Sequence, residues 1–126
     1  MRALNIVDSG RVEIEEHAIG TVIVFELRGR LTLGSFGVVK DRVRTLVEHD
    51  GRCVVVDLSA VSYVDSIGVA ELVRSDVIVR NHDGRLAFAV MPAQIRQLLH
   101  VTRLDQVFDR FDTQAQAIEH VARTDA

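Results

Sequence analysis

The stretch Cys53 to Val73, CVVVDLSAVSYVDSIGVAELV, constrains the fold more than any other part of the chain. Val54, Val55 and Val56 form an unbroken apolar run. Consecutive β-branched residues without polar alternation predict a strand buried on both faces, as in a parallel sheet. The run stops at Asp57, and a short polar connection with Ser59 and Ser62 is expected next. From Asp65-Ser66-Ile67-Gly68 the period changes, with Val69, Leu72 and Val73 on one side of a predicted helix. Ser66 then stands at a helix mouth, just past the C-terminal edge of a sheet. The first N–H groups of a helix lack intrahelical partners, and its dipole favours negative charge there. That is a suitable place to add and remove a phosphate.

The rest of the chain supplies the sheet around this segment. The residues up to about Gly10 look loosely specified. Val12-Glu13-Ile14-Glu15 alternates apolar and polar and reads as a half-exposed edge strand. Gly20 marks a turn, and Thr21 to Leu27 reads as a more buried strand paired with it in a hairpin. Gly29 to Gly37 is expected to be a loop, with Ser35 capping a helix that carries Val39, Val43, Leu46 and Val47 and ends before Asp50-Gly51. After the central strand and the helix from about Ser66 to Arg80, Asn81 to Gly84 is turn chemistry and Leu86 to Met91 a short strand. Pro92 suits the first position of a helix with Ile95, Leu98 and Leu99. Val107-Phe108 reads as a last short strand, and Thr113 with Gln116 as a capping box for a terminal helix. The expected order is β-β-α-β-α-β-α-β-α, an α/β domain with a mostly parallel sheet and an antiparallel edge strand, spanning about residues 11–123.

Composition limits what such a domain does. A net charge of −3 argues against nucleic acid, whose backbone needs a basic face. Cys53, the only cysteine, rules out an intramolecular disulfide framework and fits a reducing compartment, where it reads as a small buried hydrophobe. No signal-peptide core and no apolar run of transmembrane length are present, so a cytoplasmic location and no membrane insertion are expected.

Enzyme chemistry finds no constellation. Gly29 and Gly34 have the spacing of a phosphate loop, but Ser35 and Phe36 stand where Lys and Ser/Thr are required. A phosphoryl receiver at Asp57 lacks its acidic pair and a late-strand Lys, since Lys40 is the only Lys. A nucleophile elbow needs Gly where Val64 stands. The five histidines fall at element ends without metal-ligand spacing, and Glu15-Glu16-His17 reads as a solvated hairpin end. No catalytic residue, cofactor or metal is therefore expected. At the helix mouth, Asp65 or Ser66 supplies the N-cap, and Gly68 lets the helix approach a neighbouring backbone.

Asp57-Leu58, the connection Ser59 to Val64, Asp65-Ser66-Ile67-Gly68 and the earlier Gly29-Arg30-Leu31 together resemble the STAS domain family, whose small members include anti-sigma factor antagonists. The resemblance runs from about Val12 to Val121. It implies that Ser66 is the phosphoacceptor of a partner anti-sigma factor with serine kinase activity. It also implies that the unphosphorylated form binds that partner and frees a sigma factor, and that a protein phosphatase resets the switch. The partner surface it implies comprises Arg30, Leu31, Thr32, Ser35, Ser62, Asp65, Ile67 and Gly68. Thr32 departs from the family, where Asp is common. Two other roles fit a domain of this kind: a scaffold in a larger signalling or transport assembly, and a nucleotide or small-molecule binder using the Gly29–Gly37 loop.

Overall fold

The valine run lies inside a six-stranded sheet. The computed structural model describes residues 3–8, 12–49 and 53–122. Its strands are β1 (Ala3–Asp8), β2 (Val12–Ile19), β3 (Val22–Leu31), β4 (Cys53–Val64), β5 (Arg85–Ala89) and β6 (Arg110–Phe111). They lie side by side in chain order. The pairs β1–β2 and β2–β3 are antiparallel, and β3 through β6 run parallel. The helices are α1 (Val38–Glu48), α2 (Ser66–Asn81), α3 (Ala93–Val101) and α4 (Gln114–Ala122). Each parallel crossover carries a helix, as βαβ geometry requires.

Alternation along the strands divides the interior in two. Val54 and Val56 face a core shared with Phe25, Leu27 and Phe88 and closed by Val39 and Val43 of α1, Leu72 and Val79 of α2, and Ile95 and Leu99 of α3. Val55 points the other way, to Val24, Ala87 and Ala89 beneath Ala117 and Val121 of α4. A fully buried Val, Leu or Phe contributes about 1.5–3 kcal/mol, so β4, covered on both faces, anchors the domain. This is the α/β class expected from the sequence.

Several expectations are corrected. Val12–Glu15 is not the edge: β1 lies outside it, formed by residues read as loosely specified, and β2 continues to Ile19. Glu15-Glu16-His17 is therefore mid-strand, with Glu16 and His17 buried. The Ser59–Val64 segment, expected as a connection, is strand. Twice the pairing of β4 with β3 shifts register, once between Glu26 and Arg28 and once between Gly29 and Arg30. Each shift places one extra residue in β4, the mark of a bulge. Leu58, Val61 and Val64 consequently face the core at a spacing of three, where a regular strand shows two. The same pairing extends β3 through Gly29 to Leu31, so the glycine loop begins only at Thr32.

Smaller differences concern the ends. β5 stops at Ala89, Pro92 is the N-cap of α3, and the last strand is Arg110–Phe111. Phe108 packs instead edge-on against Phe88, ring centroids 4.6 Å apart. Thr113 caps α4, its Oγ1 accepting from the Gln116 N–H at 3.1 Å. The turn expected at Asp50-Gly51 lies outside the described residues. Among the described residues, no helix is long and apolar enough to cross a membrane.

Candidate functional site

The helix mouth is built on the joined ends of β3 and β4. Arg30 pairs with Tyr63 and Leu31 with Val64 across the parallel ladder. The Asp65 N–H then donates to the Leu31 carbonyl at 3.2 Å, which fixes where α2 begins. Asp65 is the N-cap: its backbone is extended and its Oδ1 accepts from the Gly68 N–H at 2.9 Å. Of the two capping candidates, Asp65 takes the role. Ser66, the first helical residue, is exposed.

Gly68 is buried because the helix runs against the end of β3. A Cβ there would strike the Leu31 carbonyl oxygen and come within 2.8 Å of the Leu31 carbonyl carbon and Val64 Cγ2. The expected close approach of helix to backbone is thus present, and Leu31 is its other half.

The neighbouring turn is held by its own hydrogen bonds. Thr32 Oγ1 accepts from the Gly34 N–H at 3.2 Å, and the Thr32 N–H donates to Ser35 Oγ at 3.1 Å. Ser35 Oγ donates in turn to the Arg30 carbonyl at 2.9 Å. This capping box closes a single 3₁₀ turn over Leu33–Ser35. Ser35 therefore does not cap α1. That function belongs to Glu71 of α2, whose Oε2 accepts from the N–H groups of Gly37 (2.9 Å), Val39 (2.9 Å) and Lys40 (3.0 Å). Burial pushes the Glu71 carboxyl above the usual carboxylate range, outweighing the pull of these three N–H groups and of Lys40. Its carboxylate thus takes up three of the free N–H groups at the start of α1.

The eight residues of the implied partner surface separate by depth. Arg30, Ser62 and Ile67 are exposed, and Thr32 and Asp65 half-buried. Leu31, Ser35 and Gly68 are buried. The Leu31 and Ser35 side chains and the Gly68 backbone lie beneath this surface. Ser62 Oγ donates to the Gly29 carbonyl at 3.2 Å, across the first residues of the mouth. Sequence reasoning missed the apolar side chains of Tyr63, Leu98 and Val101 that share a cleft with Ser66. Leu33 is 71% and Val101 70% exposed, and Phe36, Tyr63 and Ile67 also reach solvent. Arg30 lies over the Tyr63 ring at 4.6 Å. A cleft of about 540 Å³ runs from Ser66 and Tyr63 to Leu98 and Val101 of α3. Exposed apolar side chains in one patch mark an interaction surface. Glu71 was missed too, although a lone acid within Val69-Ala70-Glu71-Leu72-Val73 is a signal for a buried partner.

Fold and site define a mixed-sheet α/β domain whose candidate site is a surface around one helix mouth. The chain belongs to the STAS domain family, whose model matches residues 13–117. Its structure is similar to an anti-sigma factor antagonist from Mycobacterium paratuberculosis, with a TM-score of 0.78 and 19% identity over 91% of this chain and 97% of that one. An anti-sigma-factor antagonist (STAS) domain protein from Planctomyces limnophilus gives a TM-score of 0.74 and 21% identity, covering 86% of this chain and 97% of that one. The Bacillus cell fate determinant SpoIIAA in its phosphorylated form gives a TM-score of 0.66 and 16% identity, covering 86% and 98%. Identities this low establish the shared fold. No curated protein matches the chain by sequence.

Proposed function

We propose that this domain is a phosphorylation-switched protein-binding module acting as an anti-sigma factor antagonist in the cytoplasm. Unphosphorylated, it binds an anti-sigma factor with serine kinase activity and so releases a sigma factor; phosphate on Ser66 ends the binding, and a phosphatase restores it. The domain itself catalyses nothing in this scheme. One observation carries the proposal: Ser66 is exposed on the first turn of α2, relieved of capping by Asp65, and lines a cleft with Tyr63, Leu98 and Val101. A phosphate there gains about 0.3–1 kcal/mol from the helix dipole, so the fold survives it. The same charge opposes closure of an apolar interface, because burying it unpaired costs far more than that gain. Near end-to-end coverage of the antagonist structures supports the same reading.

The test uses the cognate serine kinase with ATP, followed by mapping of the modified peptide by mass spectrometry. Phosphate is expected on Ser66. Ser66→Ala should bind the partner permanently, and Ser66→Asp at least about tenfold more weakly, both with unchanged melting. Phosphate on Ser59 or Ser62 with Ser66 bare overturns the proposal, as does Ser66→Asp binding as tightly as wild type.

Arg30 offers a second check on the same face. It is exposed, and its contact with Tyr63 is worth about 0.5–1 kcal/mol at such a site. Arg30→Glu should weaken partner binding about tenfold while the melting temperature moves by only a few degrees. Partner-induced NMR shifts that gather on α4 around Ile118 in place of Arg30 and Ser66 count against this face.

A further inference from the structure

The opposite face of the sheet holds a second cluster with no part in the switch. Glu15 on β2 and Glu26 on β3 are direct cross-strand partners. Like charges so placed repel. His17, two residues along β2, projects from the same face and is only 7% exposed. Its Nε2 lies 3.1 Å from Glu15 Oε1 and 3.1 Å from Glu26 Oε1. Among the described residues, no Arg or Lys pairs with either carboxylate. On the other face, by contrast, Glu16 is matched by Arg42 at 2.7 Å.

We propose that Glu15, His17 and Glu26 form a binding site for a divalent transition-metal ion of the zinc class. One imidazole nitrogen and two carboxylate oxygens suit that class better than a purely oxygen-ligated ion. Zinc bonds of about 2.0–2.1 Å at tetrahedral angles set neighbouring donors about 3.4 Å apart, close to the two 3.1 Å separations from His17 Nε2. The three donor atoms lie within 4.8 Å of one another. A cavity of about 160 Å³ lined by Glu13, Glu15, Glu26, Arg28 and Ser59 opens beside the two carboxylates. Gln114 of α4 orients the set: its Nε2 donates to Glu26 Oε2 at 3.0 Å and to Asp57 Oδ2 at 2.7 Å. That leaves Glu26 Oε1 for the ion, the support that metal ligands ordinarily receive.

His17 Nδ1 is buried and has no hydrogen-bond partner, so Nε2 is the ring nitrogen turned to the two carboxylates. The spacing rules for a single segment did not show this set, because its members come from two strands in register.

The experiment takes the whole protein, stripped with EDTA and desalted, and titrates it with zinc chloride near neutral pH. Heat is followed by calorimetry and the imidazole nitrogens by NMR. One ion per chain is expected, with the largest shift at His17 Nε2 and a raised melting temperature. His17→Gln and Glu26→Gln should each weaken binding about tenfold or more, while Glu13→Gln should not. The proposal fails if no heat is seen, if zinc moves only His49, His82, His100 or His120, or if both ligand variants bind like wild type. The wild-type shift decides the matter even where a variant folds poorly.

Discussion

Gly68→Ala is expected to lower the melting temperature by about 10 °C, corresponding to about 3 kcal/mol for a domain of this size. The new methyl group would point at the Leu31 carbonyl oxygen, with the Leu31 carbonyl carbon and Val64 Cγ2 each 2.8 Å away. A flexible side chain could turn aside, but these obstacles are fixed. The Leu31 carbonyl accepts the Asp65 N–H, and Leu31 is paired with Val64 in the sheet. Relief therefore requires α2 to shift away from β3. That movement also disturbs the Glu71 contacts with α1, since both residues are on α2. Ser66→Ala, two residues earlier on the exposed side of the same turn, should melt like wild type. Circular dichroism melts of the two variants make the comparison, and a Gly68→Ala change under about 3 °C contradicts the argument.

The parts of the fold legible in the sequence are those where one residue pattern has one structural solution. Val54-Val55-Val56 has no polar face to expose, so it required a covered central strand. Asp65 to Gly68 before a helical period could only be a helix entry. The bulged half of β4 was hidden for the opposite reason: two extra residues turn its core spacing from two to three, and Ser59 and Ser62 then look like a loop. β1 was hidden because its apolar residues, in ALNIVD, do not alternate with the period of two that marks a half-exposed strand. At the site, Ser66 and Asp65 carry their chemistry in local sequence. Burial of Leu31 and Ser35, and the approach of Glu71 to α1, depend on how α2 packs across β3, which no single segment specifies.

Glu71→Leu is expected to cost about 3–5 kcal/mol, the largest loss of any single change considered for this chain. The carboxylate Oε2 is the acceptor for the N–H groups of Gly37, Val39 and Lys40. Leucine fills the volume but leaves these donors at the start of α1 unpartnered, each at about 1–3 kcal/mol where water does not reach. Gly37, at φ 101°, holds the chain entry that α1 needs, so the turn cannot easily re-form around the loss. Glu71→Gln keeps an oxygen acceptor and should lose far less. The pair also gives a pH signature. The folded-state Glu71 carboxyl is raised above its ordinary range by burial. Below that range both the folded and the unfolded chain hold the proton. Between it and the raised value the folded chain holds a proton that the unfolded chain has released, so wild-type stability falls as pH rises through this window. Glutamine does not titrate, and Asp76, also raised by burial, is common to both proteins and cancels in the difference. The advantage of wild type over Glu71→Gln should therefore be greatest in acid and shrink toward neutral pH. Urea unfolding of both proteins across that range measures it. An advantage that grows with pH would mean that the three N–H groups outweigh burial, and that Glu71 is held below, not above, the ordinary range.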